Sequence, residues 1–137
     1  MRTVEPADLE RRVAVHRAAW EPSRVTEESY RAVTDAWPYR ADLDCVVEAP
    51  DGSFAASCLA WLDEANGVGE LEPVGTVPAF RRRGLASAVC RFALQRLREE
   101  GATQAIVYSD TPEAKALYLS IGFREHARSR ALRKRRS

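Results

Sequence analysis

Three consecutive arginines, Arg81, Arg82 and Arg83, run directly into Gly84, Leu85, Ala86 and Ser87, where a β-branched run ends and a helical pattern begins. A helix start leaves backbone N–H groups without acceptors and carries the positive end of the helix dipole, so it can hold an anion. Gly84 and Ala86 lack the bulk that would keep a ligand off the main chain, and the arginines add charge. A phosphate or pyrophosphate suits such a turn. An ATP-type P-loop is excluded, because it needs two glycines four residues apart followed by Lys and Ser or Thr; a dinucleotide fingerprint would need three glycines. On these residues alone, an arginine-rich surface turn accounts for the stretch almost as well. Just upstream, Glu70 and Glu72 stand two apart on the preceding strand and therefore share a face. A half-buried carboxyl beside another acid has a raised pKa, which suits a base. A solvated pair of acids, or acids that only attract a cationic substrate, is the alternative.

The elements that must position these residues follow from periodicity. Leu9, Val13, His16 and Trp20 recur at near-helical spacing after Asp8, which can cap the helix, and Glu21-Pro22-Ser23 ends it. Thr26, Glu27 and Glu28 open a second helix towards Thr34. Asp44 to Ala49 reads as a strand. Pro50-Asp51-Gly52 then turns the chain into Phe54 to Leu62, and Asn66-Gly67 turns it again into Val68 to Val77, making a three-strand meander. Ala86, Val89, Cys90, Ala93 and Leu97 fall on one face of a helix that Gly101 ends. Ala105 to Ser109 is a short strand. Thr111-Pro112-Glu113 starts a helix with the stripe Ala114, Leu117, Tyr118 and Ile121; Gly122 stops it and Phe123 begins an extended segment. The order predicts an α/β domain on a mixed sheet.

The 137 residues suit one domain, without a repeat or a low-complexity linker. The longest apolar run, Phe54 to Leu62, is too short to span a membrane, and the charged start with Pro6 does not read as a secretory signal. Cys45, Cys58 and Cys90 are odd in number and not at metal-ligand spacing, so they read as reduced core thiols of a cytoplasmic protein with no metal site. The formal net charge of +1 hides an asymmetry: residues 128–137 hold six bases and no acid, leaving 15 bases against 20 acids in the body. An acidic body argues against a nucleic-acid face, although the basic C-terminal strand or tail could touch phosphate. A solvated terminus is the simpler reading.

V-P-A-F-R-R-R-G-L-A resembles the acetyl-CoA pyrophosphate turn of the GNAT N-acetyltransferase superfamily, and D-T-P-E-A-K-A-L-Y-L-S-I-G-F resembles its closing helix signature. Both lie in the family's order and spacing, and the bacterial small-molecule type fits best. The resemblance covers Asp44 to Phe123 and, more loosely, the first two helices. It implies an acyl-CoA N-acyltransferase fold, with a mostly antiparallel mixed central sheet, flanking helices and a splayed strand pair. It also implies acetyl transfer from acetyl-CoA to a primary amine, on a small molecule or a peptide N-terminus, by direct attack in a ternary complex. A homodimer is compatible with it. By position, Arg81, Arg82, Arg83, Gly84, Leu85, Ala86 and Ser87 would cradle the pyrophosphate, while Val74, Gly75 and Thr76 would bind the pantetheine arm. The Val74 N–H would polarise the thioester carbonyl. Glu70 would act as base with Glu72 in reserve, and Tyr118 would protonate the departing thiolate.

Thr111 departs from the family's usual Asn at a pantetheine contact. Pro73 and Gly75 suit a disrupted strand. His16, Arg17, Trp20, Tyr30, Trp37, Tyr39 and Trp61 could wall the acceptor pocket, although His16 on an apolar stripe reads as a satisfied core histidine. The strand that usually precedes the first helix must fit within Met1 to Val4, so the chain resembles one half of a longer two-domain relative or has a clipped edge. The alternative function is a non-catalytic acyl-CoA-binding or regulatory domain of the same fold; binding of nucleic acid by the tail ranks last.

Overall fold

The computed structural model describes residues 1–20, 22–125 and 131–135, the last five as a backbone strand. Seven strands form one sheet in the order β1-β2-β3-β4-β5-β7-β6. They are β1 (Arg2–Thr3), β2 (Asp44–Glu48), β3 (Phe54–Asp63), β4 (Val68–Thr76), β5 (Gln104–Tyr108), β6 (Arg124–Glu125) and β7 (Ala131–Arg135). Every neighbouring pair is antiparallel except β4 and β5, which are parallel. The parallel pair follows from the crossover helix between them, since parallel strands cannot be joined by a tight turn. The expected meander is β2, β3 and β4, and the short β1 adds an antiparallel edge to it. The chain's end differs from a single extended segment, because β7 inserts between β5 and β6. Within the basic C-terminal stretch, residues 128–130 and 136–137 lie outside the described residues, as does Glu21.

Four α-helices, α1 (Leu9–Ala19), α2 (Glu27–Thr34), α3 (Leu85–Glu99) and α4 (Pro112–Ser120), flank the sheet among the described residues, with short 3-10 turns at Pro6–Asp8, Ala41–Leu43 and Pro78–Phe80. Strand alternation divides the core. Cys45, Cys58 and Leu71 pack with Val89, Cys90, Ala93 and Leu97 of α3, while the intervening Val46 packs with Val15 of α1 and Phe54. Thus α3 covers one face of the sheet and α1 the other. No helix among the described residues is long and apolar enough to cross a membrane.

The α1 side holds a polar cluster that periodicity did not reveal. Arg12, 1% exposed, donates from Nε to Asp44 Oδ1 at 2.8 Å. Tyr30 and Tyr39 donate their hydroxyls to Asp44 Oδ2, the latter at 2.7 Å, and the Arg12 guanidinium lies 5.0 Å from the centre of the Tyr30 ring. Burial, with Asp44 adding to it, holds both phenols above their ordinary pKa, so they remain donors. The cluster ties α1, α2 and β2 together. Asp8 does not cap α1 as its position suggested. Its carboxylate instead accepts the Glu5 N–H at 2.8 Å and pairs with Arg2 and Arg11.

We expect Asp44→Ala to leave the Arg12 charge buried without its partner and to cost about 3–5 kcal/mol. Tyr39→Phe should cost about 1 kcal/mol. Urea midpoints of the two variants check both values.

Candidate active site

A single irregularity in β4 creates the site. Leu71 pairs with Ala60 and Val74 with Cys58, so Glu72 and Pro73 together face Leu59. This is a β-bulge, and it bends the bulged strand. Pro73 has no N–H to give, and the freed Glu72 carbonyl accepts the Trp61 indole N–H at 2.7 Å. On the other edge, β4 pairs with β5 only from Val68 to Leu71. Beyond Leu71 the two strands part, as the resemblance implied.

The gap is a groove of about 590 Å³. Val74, Gly75 and Thr76 line it from β4, with Arg81, Arg82 and the α3 start Gly84, Leu85, Ala86 and Ser87 at one end and Thr111 and Tyr118 across from them. Arg83 is outside this lining; its guanidinium lies 5.4 Å from the centre of the Phe80 ring. The turn into α3 is tight, with Arg82 at φ +66° and Gly84 at φ +74°. A left-handed Gly84 carries no steric penalty, and among the described residues no side chain caps α3. The helix begins its own ladder with Ala88 N–H to Gly84 C=O at 3.1 Å, so the Leu85, Ala86 and Ser87 N–H groups of the first turn lack intrahelical acceptors. By contrast, α4 is capped by the Thr111 hydroxyl, which accepts the Ala114 N–H at 3.1 Å. Thr76 lines the groove, while its hydroxyl oxygen is buried and has no hydrogen-bond partner among the described residues. An uncapped helix start at one end of an elongated groove suits a ligand that ends in phosphates.

Gly75 plays a different part from the one its sequence position suggested. Its φ is not positive, and the bulge falls at Glu72-Pro73 instead. A Cβ at position 75 would sit 2.7 Å from Ala19 Cβ and 2.9 Å from Trp20 Nε1. Glycine here lets the end of α1 lie against β4.

That close approach builds a second cavity of about 460 Å³ beside the groove. The two share Trp20, Val74, Tyr108, Asp110 and Tyr118, and the second adds His16, Arg24, Leu71, Glu72 and Pro73. Glu72 therefore reaches a cavity wall, whereas Glu70 lines neither space. The two carboxyls are in contact; burial, reinforced by Glu72, raises the Glu70 pKa. Tyr118, 6% exposed, touches both spaces, and burial holds its hydroxyl protonated well above neutral pH.

Of the seven expected wall residues, His16 and Trp20 line the second cavity. His16 is half-buried rather than in the core. It stacks on Trp20 at 6.5 Å, and burial together with Arg12 lowers its pKa, so the imidazole is neutral at pH 7. Tyr30 and Tyr39 are committed to Asp44, Arg17 donates to the Val25 carbonyl, and Trp37 is 92% exposed. Trp61 acts on the bulge. Sequence reasoning missed Arg24 and Tyr108, whose placement depends on how loops converge and which no local pattern announces.

The sequence matches the model of the acetyltransferase (GNAT) family over residues 12–123. A mycothiol acetyltransferase of Corynebacterium aurimucosum is 28% identical over 117 residues, which cover 77% of this chain and 38% of that one. The chain thus spans well under half the length of this curated relative. Among solved structures, a GNAT family acetyltransferase from Brucella melitensis in complex with acetyl-CoA superposes with a TM-score of 0.70 at 23% identity, covering 98% of this chain and 85% of the other. The aminoglycoside 6'-N-acetyltransferase AAC(6')-IG from Acinetobacter haemolyticus gives 0.73 at 22% identity, covering 93% and 92%. The chain belongs to the GNAT acetyltransferase family.

We expect Gly75→Val to drive the end of α1 off β4, with an overpacking cost of about 1–3 kcal/mol. A lower urea midpoint and an altered native tryptophan emission would register it.

Proposed function

We propose that the chain is an N-acetyltransferase that moves an acetyl group from acetyl-CoA to a primary amine by direct attack in a ternary complex. The observation that carries this reading is the groove between the parted strands β4 and β5, which runs to the uncapped start of α3. The donor's pyrophosphate would lie on the Leu85, Ala86 and Ser87 N–H groups, with Arg81 and Arg82 beside it. Its pantetheine arm would follow Val74, Gly75 and Thr76 in place of a further strand. Thr111, whose oxygen already caps α4, retains its hydroxyl hydrogen for one contact.

The thioester carbonyl would then face the Val74 N–H, at the boundary of the two spaces, where a donor stabilises the developing oxyanion. The acceptor amine enters through the second cavity. An ammonium is drawn by Glu72, whose carboxyl contacts that of Glu70, and must lose a proton before it attacks. The pair takes that proton. The neutral amine forms the C–N bond, the C–S bond breaks, and the Tyr118 hydroxyl protonates the thiolate. The proton that leaves nitrogen after attack returns the tyrosinate to its starting form, and the proton that the pair took passes to water. Glu72 is the nearer base, because it lines the cavity that Glu70 does not reach. A cysteine nucleophile does not suit this site: Cys45, Cys58 and Cys90 are buried free thiols, and burial pushes the Cys45 pKa up to about 12. Small molecules and peptide N-termini both present the amine this reaction needs.

Calorimetry with acetyl-CoA and thiol release across an amine panel test the proposal. Gly84→Asp, which puts a carboxylate at the α3 start, should abolish acetyl-CoA binding; unchanged affinity would overturn the phosphate assignment. Tyr118→Phe should lower kcat about 10- to 100-fold while acetyl-CoA affinity changes little. Glu72→Gln should lower kcat/KM and flatten the acid limb of its pH profile. Tight acetyl-CoA binding with turnover on no amine would favour a non-catalytic acyl-CoA-binding domain.

A further inference from the structure

We propose that Trp61 is a positioning residue for the Glu70–Glu72 carboxyl pair, holding the bulge that presents Glu72 and shielding Glu70 from water. The proposal rests on the acetyltransferase reading for its kinetic consequence but on geometry for its two contacts.

The first contact is the hydrogen bond from Trp61 Nε1 to the Glu72 carbonyl, at 2.7 Å. A carbonyl that a bulge releases from the ladder must find another donor. The indole N–H is a donor only, so it has one role to play there. Trp61 is itself held in place. Its ring lies 6.3 Å from Tyr39 at 74°, and Tyr39 donates to Asp44, which accepts from buried Arg12. The bulge carbonyl is thereby tied through two aromatic side chains to the ion pair that fixes α1, the helix carrying His16 and Trp20 to the acceptor cavity.

The second contact is across the ladder. Trp61 and Glu70 are paired residues of β3 and β4, so their side chains share a face with Cβ atoms roughly 4.5–5.5 Å apart. Glu72 is on that face as well, since its carboxyl contacts that of Glu70. As the cross-strand partner of Glu70, the half-buried indole is placed to cover that carboxyl on the side that β3 provides. Removing water from a carboxyl that already faces another acid favours its protonated form. Trp61 accordingly sets both where Glu72 points and how readily the pair takes a proton.

Trp61→Phe removes the donor and keeps the ring; Trp61→Ala removes both. Glu70 titration, followed by carboxyl 13C NMR on the full chain with labelled glutamate, reads the shielding without any need for turnover. In Trp61→Phe we expect an unchanged Glu70 midpoint, acetyl-CoA affinity within about twofold of the parent and kcat down about tenfold, as for a lost hydrogen bond. In Trp61→Ala the Glu70 midpoint should fall by about half a unit or more towards the ordinary carboxyl range, and the acid limb of kcat/KM should follow it. Equal Glu70 midpoints in the parent and Trp61→Ala would overturn the shielding. An unchanged kcat in Trp61→Phe would overturn the role of the indole bond, and parallel losses of stability and acetyl-CoA binding in both variants would reduce Trp61 to packing. A parent chain that titrates as expected yet transfers acetyl to no amine would sink the acetyltransferase reading and leave the shielding contact standing.

Discussion

The site depends on one strand satisfying its backbone on one side only. β4 keeps its ladder with β3 to Thr76 but leaves β5 after Leu71. A sheet gains by continuing to pair, so the opening has to be enforced. The extra residue of the bulge, the proline that cannot donate and the indole that takes the released carbonyl together make re-pairing with β5 unfavourable. What remains is a strand edge with free polar groups facing a slot, which a ligand can use as though it were the missing strand.

Enforcing that slot also requires rigid walls. The Arg12–Asp44 pair lies in the interior with neither Arg12 Nη atom hydrogen-bonded among the described residues, an arrangement that costs desolvation. It persists because it crosslinks α1, α2 and β2 through the two tyrosine hydroxyls. On the same helix, the end of α1 rests on Gly75, so its position relative to β4 is set at both ends, by charge below and by close backbone approach above. Trp20 and His16 reach the second cavity from that fixed helix.

Much of this was readable in the sequence, and the reasons differ by element. The meander and α3 announce themselves through turn residues and a clear helical stripe, and the two motifs place the α3 start and Tyr118. The splay itself came from the resemblance: Pro73 alone would equally mark an edge strand. Legibility failed where tertiary contacts outweigh local pattern. Arg12 and Asp44 look like surface charges until the fold brings them together from 32 positions apart. Asp8 has the residue type of a cap but finds two arginines. His16 sits at an apolar spacing yet opens onto a cavity, and the order of Glu70 and Glu72 at the wall could not be settled from alternation, which places both on the same face. Trp61 reads from the sequence as a candidate wall of the acceptor pocket, whereas its hydrogen bond is to a carbonyl eleven residues away.

The two cavities hold Trp20, Val74, Tyr108, Asp110 and Tyr118 in common. In the proposed reaction, a donor stretched along β4 becomes part of the surface that the acceptor meets. The acceptor chamber acquires its full shape only once the donor is seated, and an acceptor already in place would obstruct the donor's reactive end. The shared partition therefore favours sequential loading, donor first, with spent carrier leaving last.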